Sequence, residues 1–77
     1  SPLKELNNQL LRLLRELVKV SKKIVDLSKT IIEVLKHTDL DPRLLDSLEK
    51  SQQELDKSQK ELDKVVKELT KVNKKLQ

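Results

Sequence analysis

Apolar residues recur along this chain with a seven-residue period, in two blocks separated by His37-Thr38-Asp39-Leu40. The first block carries three wholly apolar stripes: Leu3, Leu10, Leu17, Ile24, Ile31; Leu6, Leu13, Val20, Leu27, Val34; and Leu11, Val18, Val25, Ile32. A fourth stripe is mixed and reads Asn7, Leu14, Ser21, Ser28, Leu35. At about 100° per residue the four together cover roughly 160° of a helix surface. The second block has one apolar stripe, Leu48, Leu55, Leu62, Leu69, Leu76, between two mixed ones. These are Leu44, Ser51, Ser58, Val65, Val72 and Leu45, Gln52, Gln59, Val66, Asn73, and the three span only about 100°. Each block predicts one long amphipathic helix, and a seven-residue period held this long predicts a left-handed supercoil.

Two helix starts are written into the sequence. Ser1-Pro2 and Asp41-Pro42 each put a capping oxygen before a proline that fits the first turn. Leu40, ahead of the second cap, can staple against Leu45. The expected elements are therefore a first helix over about 2–37, a turn over 38–41 and a second helix over about 42–77. Neither helix has an internal Pro or Gly to break it.

Folding the chain about residue 40 brings residues whose numbers sum to about 80 to a common height. Leu35 then meets Leu45, Ser28 meets Gln52, Ser21 meets Gln59, Leu14 meets Val66 and Asn7 meets Asn73. Apolar faces apolar at two levels and polar faces polar at three. A buried polar atom without a partner costs on the order of 1–3 kcal/mol, so polar residues embedded in apolar stripes are expected to bond one another. Ser hydroxyls and Asn or Gln amides supply both donors and acceptors for this. Ser51 and Ser58, beside Gln52 and Gln59, would thicken the two middle layers. Such layers penalise any register that sets an amide against Leu. The plainer alternative is that the Ser and Gln residues mark a wetter stretch of a solvent-facing stripe.

A single hairpin cannot cover a 160° face with a 100° one. The first helix therefore needs neighbours on more than one side, which makes it the inner helix. Composition agrees: 17 Leu, 7 Val and 3 Ile make up the entire hydrophobic fraction of 35%, without Ala, Gly, Cys, Met or any aromatic. A 77-residue chain with no Cys and one His has neither disulfides nor a metal site to support a small core, leaving self-association. The width difference favours three hairpins, with three inner first helices ringed by three second helices, over a two-hairpin, four-helix dimer. Leu3, Leu10, Leu14, Leu17, Ile24, Ile31 and Leu35 are the apolar contacts expected between copies. A partner that is another helical chain stays open as an alternative.

The capped hairpin at Asp41-Pro42, the core of Leu, Val and Ile alone, and the layers Asn7/Asn73, Ser21/Gln59 and Ser28/Gln52 resemble de novo designed helical-hairpin oligomers with buried hydrogen-bond networks. The resemblance spans the whole chain. It implies an all-α, antiparallel two-helix hairpin assembling into a coiled-coil-like bundle, a six-helix C3 trimer here, with no natural substrate. Some members of that class switch with pH through buried His layers; this chain departs from them, its one His lying off the apolar stripes. Ser1 at the start, with no Met anywhere, fits a trimmed recombinant product made in the cytoplasm.

Candidate chemistry is sparse. His37 is expected in the last turn of the first helix, where a positive charge suits the helix dipole. Asp39 and Asp41 read as turn and cap residues. Phosphate loops, nucleophile elbows and Cys/His clusters need Gly or Cys, which are absent, so no enzyme activity, cofactor, metal or small-molecule ligand is expected. Net charge is +4, with Lys22-Lys23 and Lys74-Lys75 the densest basic sites, but acidic residues are interspersed. Without aromatics there is no base-stacking platform, and no nucleic-acid binding is expected. No apolar run approaches the ~20 residues needed to cross a bilayer, and a surface-lying helix would want aromatics at its boundary.

Overall fold

The computed structural model describes residues 1–76 as two antiparallel helices, α1 (Pro2–Leu35) and α2 (Pro42–Lys75), in a rod of 58 × 15 × 12 Å. Both starts form as their residues dictate. The Ser1 hydroxyl accepts from the Lys4 amide at 3.2 Å, with Pro2 next in the chain. Asp41 adopts φ −53°, ψ 124°, and its carboxylate accepts from the Arg43 amide at 3.0 Å. Its carbonyl opens the α2 ladder by accepting from Leu45. Leu40 and Leu45 are both half-buried.

The end of α1 differs from expectation. The helix stops at Leu35 with Lys36 as its cap, so His37 belongs to the turn and not to the last helical turn. The segment after α1 holds neither Gly nor Asn to take the left-handed C-terminal cap, and no described residue has positive φ. The exposed carbonyls are satisfied differently: His37 and Thr38 amides donate to Val34 and Leu35 in short three-residue turns, and the Thr38 hydroxyl donates to Leu35 O at 2.7 Å. His37 is 79% exposed in its side chain, with Nε2 3.9 Å from Glu33. At the other end α2 closes on Lys74 and Lys75, whose charges suit the helix C-terminus. Leu76 turns extended, and its amide donates to Asn73 O. Gln77, the last residue of the expected second helix, lies outside the described residues.

Only part of the wide apolar arc of α1 is used by the hairpin. In angular order the stripes run from Leu6 through Leu3 and Asn7 to Leu11. The edge stripe seats on α2: Leu11 (2% exposed), Val18 and Val25 are buried. Leu11 and Val18 cluster with Val66 of α2, and Leu14, Leu62 and Leu69 pack partly buried around them. Gln59, at 9% exposed, is the buried polar residue of the seam.

Beyond that seam lies a second, polar margin. Asn73 Nδ2 donates to Asn8 at 2.8 Å, Arg15 donates to Thr70 at 3.2 Å, Lys29 lies 3.8 Å from Asp56, and Lys36 lies 3.6 Å from Glu49. Asn8, Arg15, Lys29 and Lys36 share one helical stripe, as do Glu49, Asp56 and Thr70. The rungs are largely solvent-exposed, so each contributes little stability, about 0–1 kcal/mol. Their effect is geometric: they fix which side of the hairpin is wet.

Candidate assembly face

The side of the seam opposite this polar margin is apolar and uncovered. All ten residues of the Leu3 and Leu6 stripes are between 46% and 64% exposed. Leu44, Val65 and Val72 of α2 extend the same face on its far side. Of the apolar residues expected between copies, Leu3, Leu10, Leu17, Ile24 and Ile31 lie on this open face, while Leu14 and Leu35 are half-buried at the root of the groove. Near the turn the groove deepens into a pocket of about 250 Å³ lined by Ser28, Ile31, Ile32, Leu35, Leu48, Ser51, Gln52 and Leu55. A monomeric soluble protein seldom exposes a contiguous apolar patch beyond about 300–600 Å². Thirteen exposed large aliphatic side chains put this face on the order of 1,000 Å², more than the ~800 Å² a side of a standard-size protein interface.

Of the sequence-matched polar pairs, the structure joins one by a direct hydrogen bond and gives the serines of the other two a partner within their own helix. Asn7 and Asn73 bond directly: Asn7 Nδ2 donates to Asn73 Oδ1 at 2.8 Å. Asn8 completes that layer as the acceptor for Asn73 Nδ2. Sequence matching missed Asn8 because it lies off the apolar stripes; its adjacency to Asn7 was the available signal.

The serines behave differently. Ser21 donates to Val18 O at 2.9 Å and Ser28 to Val25 O at 2.7 Å, each bonding one turn back in its own helix. Neither hydroxyl donates to Gln59 or Gln52 across the hairpin. Both serines are half-buried, with Ser28 on the groove wall beside Ser51 and Gln52. Ser51 and Ser58 are exposed on the α2 margin. The Gln52 side-chain nitrogen is buried without a hydrogen-bond partner among the described residues. The second level from the turn thus holds a donor that the hairpin itself leaves unused.

Among the described residues no group of three or more His, Cys, Asp or Glu side chains is placed to hold a metal ion. No described helix is long and apolar enough to cross a membrane. Comparison with known protein families, with curated proteins and with solved structures found no match.

Proposed function

We propose that the chain is a structural self-assembly module whose copies associate through the open face of α1, as a homotrimeric six-helix bundle without catalytic activity. The observation that carries this reading is the ten-residue apolar face on the side of α1 turned away from the seam. Among the described residues five are buried, four of them apolar. A chain this size rarely draws more than about 3–5 kcal/mol from a single core, and this one leaves most of its aliphatic surface in water. Association moves that surface out of water at about 25 cal/mol per Å².

The choice of three copies rests on the unequal arcs. The Leu11 stripe is occupied by α2 of the same hairpin, and the remaining α1 arc still needs cover on more than one flank. Three α1 helices around an axis, each flanked by α2 helices, give that cover. A dimer uses two similar arcs, which this chain lacks. Light scattering or sedimentation at micromolar concentration is expected to give three times the 9.0 kDa chain mass. A one-chain mass rejects self-assembly, and a two-chain mass rejects the trimer in favour of a four-helix dimer. Recovery of full helicity and a defined mass only on adding a different helical chain supports the heteromeric alternative.

A further inference from the structure

We propose that the pocket near the turn binds a small, neutral, mostly apolar molecule carrying one hydrogen-bond acceptor, of the class of an aryl ketone. Its walls come from a single hairpin, so the site goes beyond the self-assembly reading and does not depend on how many copies gather.

The void follows from the residues at its height. The α1 stripe that carries Leu14 and Leu35 elsewhere carries Ser28 here, and on α2 the stripe of Leu44 and Val65 carries Ser51. Both serines line the pocket, and the chain has no Met or aromatic side chain to reach across the gap. One heptad further from the turn, Ser21 and Ser58 repeat the pattern, but Gln59 is buried in the seam there at 9% exposure. Gln52 leaves its own level open. What remains is about 250 Å³ between aliphatic walls that include Ile31 and Leu48. Protein interiors seldom keep a void much larger than a water molecule.

Size and polarity together set the occupant. A cavity of about 150 Å³ with aliphatic walls holds one benzene, so this one takes on the order of ten non-hydrogen atoms. The Gln52 side-chain nitrogen is buried without a partner among the described residues, a donor in want of an oxygen. The last torsion of Gln is broad, so the amide can turn its N–H into the void without any movement of the helix. A neighbouring copy does not meet that need, because the open α1 face offers Leu, Ile or Val at every height. An anion is disfavoured, since none of the described lining residues is charged. An apolar body with one carbonyl oxygen satisfies both demands, and such a site needs none of the catalytic or cofactor motifs that the sequence lacks.

Ligand-observed NMR titration of the full chain with acetophenone, and with α-methylstyrene as its isostere lacking the oxygen, tests the site. Acetophenone is expected to bind saturably with a Kd of about 1 mM or tighter. Its affinity should exceed that of α-methylstyrene about tenfold, and Gln52→Leu should remove that preference. Ser51→Leu fills the pocket and is expected to abolish binding of both probes. Ser58→Leu makes the same change one heptad along the same exposed stripe, outside the pocket, and should leave binding intact. Equal effects of the two serine variants, or equal affinity for the two probes, show adhesion to the open face and overturn the site. Absence of saturable binding overturns it as well. The solution mass of the same samples separates this result from the fate of self-assembly. A multi-chain mass without binding rejects the pocket alone, and a one-chain mass with ketone binding rejects self-assembly alone.

Discussion

The side-chain amide of Asn7 donates to the carbonyl oxygen of Asn73 across 2.8 Å, although the two are 66 residues apart in the chain. This bond, with the return donation from Asn73 to Asn8, ties the open end of the hairpin shut. Replacing Asn73 by Leu leaves both α1 amides without their partner and is expected to cost about 1–3 kcal/mol. Replacing Asn7 and Asn73 together by Leu is expected to recover most of that loss. Urea denaturation at fixed chain concentration measures both.

The two faces of α1 make opposite predictions for a hairpin and for an assembly. Leu13 and Leu27 are 64% and 60% exposed, so in an isolated hairpin their replacement by Lys should be nearly silent, within about 0.5 kcal/mol. In the proposed assembly Leu13→Lys with Leu27→Lys buries two unpaired ammonium groups. The expected outcome is a one-chain mass and a marked loss of helical circular dichroism at micromolar concentration.

Leu11 is the most deeply buried of the described side chains, and its truncation serves as the reference for the seam. Leu11→Ala is expected to destabilise by about 2–5 kcal/mol. Its effect should fall on the hairpin rather than on how copies find each other, lowering the urea midpoint while the folded species keeps its mass.

The two middle polar levels are expected to act on specificity more than on stability. A variant carrying Ser21→Val, Ser28→Val, Gln52→Leu and Gln59→Leu replaces polar groups by aliphatic ones on both helices at once, a change that is often neutral or stabilising. The expected result is equal or higher thermal stability with a broader distribution of oligomer masses. Unfolding of that variant would show that these residues serve another end.

The net charge of +4 gives a last check on partners. Basic and acidic residues alternate along the exposed margins, as in the pairs Asp46–Lys50 and Asp63–Lys67 at 3.2 and 3.3 Å. A gel shift with DNA or RNA at about 150 mM salt is expected to be negative, because what little attraction remains is screened.

Much of this was legible in the residues. The two Pro-led caps located both helix starts, and the matching of polar levels anticipated the Asn7–Asn73 bond from spacing alone. The C-terminal end of α1 was not, because without a glycine its position depends on how carbonyls of Val34 and Leu35 compete for His37, Thr38 and the Thr38 hydroxyl. Nor did periodicity say which part of a 160° arc seats on the partner helix. It gives the width of an apolar face, whereas the choice of the Leu11 edge comes from the polar rungs beyond it. The serine bonds lay beyond sequence reading for a related reason: a helical Ser always has its own turn's carbonyl in reach as a rival to any cross-helix partner.

The row of rungs from Lys36–Glu49 to Arg15–Thr70 has a consequence for growth. A unit that is adhesive on both flanks can add members without end and run into fibres. Here one flank is hydrated and charged, so in the proposed assembly each newcomer would turn its oily side toward a shared axis. Accretion would then stop when the circle closes, leaving the ionic rim toward the solution.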